Sequence, residues 1–180
     1  MIHIISDTHF FGNSYKEQIR GRVSNFDYTS LIITQWAKNV KDNDIVIHLG
    51  DIGGRWNKTR ELLNSLPGRK ILIRGNHDKR SVESYLEAFD EVHDTLELDG
   101  YIFTHIPIDM RKSQKINISG HLHATPRKDT LQYFNVMYVR NLKTFFDFSK
   151  NFIYTIHDWG WSPVQIDKFI NTMNIHKFVN

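Results

Sequence analysis

Short apolar runs of strand length, rich in Ile, Val and Leu, alternate with stretches of helical period through the first two-thirds of the chain. Such alternation limits the chain to a layered α/β or α+β fold, because each strand needs helices or a second sheet to cover it. Residues 2–5, 45–49 and 70–73 are predicted as the first strands. Between the first two, Ile33, Trp36, Ala37 and Val40 recur at the spacing of one helix face, with Asp27 or Thr29 as its cap. Further helices are predicted over residues 58–66, ended by Pro67-Gly68, and over residues 81–88. Residues 95–98 and 101–104 flank Asp99-Gly100, the dipeptide of a two-residue hairpin turn, and residues 116–118 form another short strand.

The last third changes character. Residues 133–139 read as a strand, and the aromatic residues 145–148 and 152–156 flank Ser149-Lys150-Asn151 as a hairpin, which we read as an insertion at about residues 140–160. Residues 164–173 are expected to close the fold as a helix. Without internal repeats, linkers or low-complexity segments, residues 1–180 are read as one domain.

Composition narrows the chemistry. The chain of 180 residues has ten histidines and no cysteine, which excludes a disulfide scaffold, a cysteine zinc finger and a thiol nucleophile. Any metal must be held by imidazole, carboxylate or amide. No apolar run approaches the roughly 20 residues of a spanning helix, and the first residues lack the basic-then-apolar order of a signal peptide. A cytoplasmic protein with no membrane partner is therefore expected. The net charge of +3 suits an anionic substrate without demanding nucleic acid, because basic and acidic residues are interspersed.

Chemistry-bearing residues collect where the predicted strands end. Asp7 and His9 follow the first strand, Gly50 and Asp51 the second, and Gly75-Asn76-His77-Asp78 the third. His105 follows the strand from Tyr101, and Gly120-His121-Leu122-His123 follows the strand from Ile116. In open α/β sheets, ligands bind at the carboxyl ends of strands. Each string alone could serve as a turn or cap, but five in succession favour a shared site. The oxygens of Asp7, Asp51 and Asn76 and the imidazoles of His9, His105, His121 and His123 are too many for one ion. Mixed nitrogen and oxygen donors suit transition metals, and a pair of ions sharing a carboxylate suits in-line displacement at phosphorus.

The blocks Asp7-Thr8-His9, Gly50-Asp51, Gly75-Asn76-His77-Asp78, His105 and Gly120-His121-Leu122-His123 resemble the calcineurin-like metallophosphoesterase superfamily, in particular its small bacterial and phage phosphoesterases. The resemblance covers roughly residues 1–140 and implies a two-sheet β-sandwich flanked by helices; beyond it, Trp161-Ser162-Pro163-Val164 resembles the closing strand of those relatives. It implies one metal on Asp7, His9, Asp51 and His123, and a second on Asp51, Asn76, His105 and His121, with Asp51 bridging. Mn is favoured, with Fe, Zn, Ni or Co as alternatives. His77 would protonate the leaving oxygen, and Asp78 would orient its ring.

Arg20 and Arg22, in the loop before the first helix, and Arg74, just before the Gly-Asn-His-Asp turn, are candidates for binding a substrate phosphate. His3 and His48 lie inside strands and are read as packed, hydrogen-bonded residues. The expected activity is hydrolysis of a small or nucleotide-like phosphoester, with a phosphodiester such as a cyclic nucleotide favoured. A nuclease and a dinucleoside polyphosphate pyrophosphatase are the rivals within that class, and a non-catalytic protein-binding scaffold is the rival outside it. Self-association through the aromatic hairpin stays open.

Overall fold

The computed structural model describes residues 1–12, 28–110, 112–122, 150–154, 156 and 159–178. In chain order the elements are β1 (Ile2–Ile5), α1 (Tyr28–Asn39), β2 (Ile45–His48), α2 (Trp56–Ser65), β3 (Arg69–Ile73), α3 (Val82–Tyr85), β4 (Glu91–His93), β5 (Thr95–Leu98), β6 (Tyr101–Thr104), β7 (Ile116–Ser119), β8 (Asn151–Ile153), β9 (Val164–Gln165) and α4 (Ile166–Phe178). They build two sheets flanked by helices, as the resemblance implied.

The first sheet has the order β4-β3-β2-β1-β9, with β1 to β4 parallel and β9 antiparallel against β1. Consecutive residues Ile4 and Ile5, Val46 and Ile47, and Leu72 and Ile73 are all fully buried. Such continuous apolar runs are what a parallel sheet covered on both faces requires. The second sheet has the order β5-β6-β7-β8. Phe103, Ile118 and Phe152, from β6, β7 and β8, join the same buried cluster as the first sheet. β5 and β6 form the expected hairpin, with Leu98 opposite Tyr101. Its turn residues Asp99 and Gly100 have φ of 50° and 84°, the left-handed pair that a type I′ turn needs.

Several expected boundaries move. Helix α1 buries Tyr28, Thr29, Ile32 and Trp36, while Ala37 is exposed and Ile33 is half-buried. Trp36 and Val40 are buried as expected, and the Trp36 indole donates to the Pro67 carbonyl at 3.0 Å. Thr29 lies inside the helix and so is not its cap, and Asp27 lies outside the described residues. Strand β4 escaped prediction, since Val92 is its only aliphatic residue; it forms by adding to the edge of β3. Val164 and Gln165 pair with β1 as β9, so the closing helix starts at Ile166. Strand β8 pairs in parallel with β7, and the partner expected for it, residues 145–148, lies outside the described residues together with 133–139. No helix among the described residues is long and apolar enough to cross a membrane.

Candidate metal centre

The tips of β1 and β2 stay paired after the strands end. Asp7, His9 and Phe10 donate their backbone N–H groups to the carbonyls of Gly50, Asp51 and Ile52 at 2.9, 3.0 and 2.7 Å. This pairing proceeds through an unusual backbone. Asp7, His9, Asp51 and His121 have φ of 55°, 41°, 56° and 68°, a left-handed region that costs non-glycine residues of order 1–3 kcal/mol each. Four of the expected metal ligands are thus held in strained conformations, which turn their side chains toward one another.

Two donor groups result. Asp7, His9 and Asp51 form one, and Asp51, His105 and His121 the other, each with its ligand atoms within 4.8 Å of one another. Asp51 belongs to both. One of its oxygens, Oδ2, lies 3.4 Å from His105 Nε2 and 3.8 Å from His9 Nε2, while Oδ1 accepts the His77 backbone N–H at 2.8 Å. The second sheet closes on the first where the His121 N–H donates to Asp7 Oδ2 at 3.0 Å.

The orientation of His105 shows which of its ring nitrogens faces the cluster. Its Nδ1–H points at the Leu49 carbonyl, 2.7 Å away, which leaves Nε2 as the lone-pair nitrogen. That nitrogen faces Asn76 Oδ1 at 2.9 Å and His121 Nδ1 at 3.1 Å as well as Asp51 Oδ2. Lone-pair atoms of carboxylate, amide and imidazole groups converging at such distances fit a shared cation, and the mixed donor set fits a divalent transition metal.

The electrostatics carry the same signature. Burial pushes the Asp7 carboxyl up to about 7. Burial also acts to raise Asp51, but the His105 hydrogen bond and nearby imidazolium charge outweigh it and hold that carboxyl well below the usual range. His105 is raised: burial opposes its charge, and Asp51 and Asp7 overcome that opposition. His121, by contrast, is lowered by burial to about 4.

His77 belongs to neither donor group. Its side chain is 68% exposed, with Nε2 3.9 Å from Asp51 Oδ2 and its ring edge-on to His9. Asp78 does something other than what the resemblance implied. Its Oδ2 accepts the N–H groups of Asp51 and Gly75 at 2.8 Å each, and Oδ1 accepts that of Ile52 at 3.1 Å. The carboxylate therefore ties the loop after β2 to the loop after β3 and is spent on backbone, not on the His77 ring. Arg74 is also engaged, with Nε 2.8 Å and Nη2 2.6 Å from Asp94 Oδ1. Arg20, Arg22 and His123 lie outside the described residues. His3 is buried against Asp44 at 3.2 Å, and His48 is buried against Thr8 at 2.9 Å, as expected of packed histidines.

Two cations went unnoticed in the sequence. Arg80 lays its guanidinium 5.7 Å from the centre of the Trp56 ring, and Arg55 precedes that tryptophan at the start of α2. Arg60, Arg69 and Arg74 pair with acids, whereas no acidic partner of Arg55 or Arg80 occurs among the described residues. The string Asp78-Lys79-Arg80 was the available signal; only the fold brings Arg80 over the Trp56 ring.

A parallel-sheet core whose strand tips carry two sets of acid and imidazole donors with one carboxylate in common fits a metal-dependent phosphoesterase. The chain belongs to the calcineurin-like phosphoesterase family, whose sequence model matches residues 1–172. It is 36% identical over 132 residues to an uncharacterised protein of Methanocaldococcus jannaschii, spanning 68% of this chain and 69% of that one. A crystal structure of a protein of unknown function from Aquifex aeolicus shares the fold with a TM-score of 0.68 at 23% identity, over 96% of this chain and 98% of that one.

Proposed function

We propose that the chain is a dinuclear phosphodiesterase acting on small or nucleotide-like phosphodiesters, with Mn²⁺ as the favoured ion. The observation that carries this reading is the membership of Asp51 in both donor groups, since one carboxylate common to two sets of ligands suits a bridged pair of ions. Asp7, His9 and Asp51 would hold one ion, completed by His123. Asp51, Asn76, His105 and His121 would hold the other. Bound there, the ions would polarise the phosphoester and make water nucleophilic at neutral pH.

The chain's own groups supply the rest. The His77 ring stands exposed over the shared carboxylate, so its imidazole can reach a leaving oxygen and protonate it. Exposed Arg55, and Lys79 and Arg80 just beyond His77 in the chain, favour an anionic substrate larger than a single phosphate. The Asp78 carboxylate holds the Asp51 and Gly75 loops at fixed separation.

The test uses metal-stripped protein reconstituted with Mn²⁺ and assayed on bis(p-nitrophenyl) phosphate, p-nitrophenyl phosphate and a panel of cyclic and linear nucleotides. Metal-dependent turnover, higher on diesters, is expected. Asp51→Ala should abolish it, and His77→Ala should lower kcat by about 100-fold or more, the usual worth of a general acid. Absence of Mn²⁺-dependent turnover on every substrate, or turnover indifferent to Asp51→Ala, refutes the proposal.

A further inference from the structure

His48 and Thr8 bind nothing in the reading above, yet they lie directly behind the two strained loops. His48 sits at the end of β2 and is fully buried, as is Thr8, which lies between Asp7 and His9. The Gly50 N–H donates to His48 Nδ1 at 3.1 Å, so the ring's own proton is on Nε2. Nε2 is 2.9 Å from Thr8 Oγ1, and the Thr8 hydroxyl donates to the Ile52 carbonyl at 2.9 Å. Every proton in this relay has one direction: from Gly50 to His48, from His48 to Thr8, and from Thr8 to Ile52.

The anchors of the relay make it informative. Gly50 and Ile52 bracket Asp51, and Thr8 is bracketed by Asp7 and His9, so each bond fixes backbone next to a residue with left-handed φ. Such conformations persist only where surroundings over-determine them. Beside the backbone bonds that pair the two loops, this buried side-chain bridge is a second tie between the residues that bracket the ligands.

We propose that Thr8 and His48 form a positioning strut that holds Asp7, His9 and Asp51 in the geometry a metal requires. The inference rests on the metal-centre reading and adds two residues to it. Neither touches metal or substrate; they act through the backbone of the ligands on either side.

The experiment measures Mn²⁺ affinity of metal-stripped protein by calorimetry and, separately, kcat and KM on bis(p-nitrophenyl) phosphate. Thr8→Val keeps the shape of the side chain and removes the hydroxyl, whereas Thr8→Ser keeps the hydroxyl. With folding verified by circular dichroism, Thr8→Val should weaken Mn²⁺ binding about 10- to 100-fold, the range seen when outer supports of metal ligands are removed. kcat should fall while KM stays near its wild-type value, and Thr8→Ser should restore both. His48→Asn keeps an acceptor for Gly50 but cannot reach Thr8, so it should weaken Mn²⁺ binding by no more than Thr8→Val, which also removes the bond to Ile52. The double variant should then be no worse than Thr8→Val alone, since the bond lost in His48→Asn is already lost there.

Wild-type Mn²⁺ affinity in a folded Thr8→Val chain overturns the strut, as does equal loss in Thr8→Ser or additive loss in the double variant. A wild-type chain that binds no Mn²⁺ overturns the metal centre and the strut with it. The two failures are therefore separable.

Discussion

Gly75, in the loop after β3, lies against Asp51, and replacing it with alanine tests whether the position of that carboxylate governs activity. A Cβ at residue 75 would lie 2.2 Å from Asp51 Oδ1, 2.4 Å from Asp51 N and 3.0 Å from Asp51 Cγ. Ordinary contact begins at 3.4 Å, so the carboxylate and the loop must part by about 1.2 Å. Neither can yield easily. Asp51 Oδ1 accepts the His77 N–H, Asp51 N donates to Asp78, and the side chain is walled in by His105. A 1 Å misplacement of a reacting constellation can cost about 100-fold in rate, and overpacking a buried site costs about 1–3 kcal/mol.

Gly75→Ala should accordingly lower kcat on bis(p-nitrophenyl) phosphate at saturating Mn²⁺ by about 100-fold, with a weaker Mn²⁺ isotherm and a melting temperature lower by several degrees. Gly54→Ala is the control: its Cβ would meet nothing nearer than the Phe11 carbonyl oxygen at 3.8 Å, and turnover should stay near wild type. A Gly75→Ala enzyme within about threefold of wild type would refute the reasoning, because a carboxylate displaced by that distance could not still serve both donor groups.

Two further outcomes follow from the site. Without metal, burial raises the Asp7 carboxyl from 3.8 to about 7, so its contribution is full below about pH 4 and is lost as pH rises through 7, by at most about 4 kcal/mol at 1.36 kcal/mol per unit. Urea unfolding of the metal-stripped chain should show this decline, Asp7→Asn should flatten it, and an unchanged slope in that variant would refute the assignment. Asp78→Asn offers an amide where three backbone N–H groups need two carboxylate oxygens; it should cost about 1.5–3 kcal/mol and weaken Mn²⁺ binding, and a variant within 0.5 kcal/mol of wild type in urea would count against the tie.

Much of the fold was legible because its signals are local. The paired burial of Ile4 and Ile5 follows from a continuous apolar run, and the β5–β6 hairpin follows from Asp99-Gly100, the residues that tolerate positive φ. Strand β4 carried no such signal, and the two residues of β9 were marked only by the resemblance of Trp161-Ser162-Pro163-Val164 to a closing strand. Glu91–His93 is a strand because β3 offers it an edge, and Val164–Gln165 because β1 does. The indole of Trp36 in α1 finds its acceptor at Pro67, 31 positions away.

The site divides the same way. By itself the sequence determined which residue types stand at the strand tips: Asp7 and His9, Asp51, Asn76 and His77, His105 and His121, each set beside its strand by covalent adjacency. Only the tertiary structure decided what each one faces. It gave Asp51 to both donor groups, turned His105 Nε2 inward by bonding Nδ1 to Leu49, spent Asp78 on the backbone of Asp51, Ile52 and Gly75, and paired Arg74 with Asp94. The reason is physical. A motif fixes a residue's chemistry and its place along the chain, whereas its hydrogen-bond partner is chosen by strand pairing between segments distant in sequence, which no local string encodes.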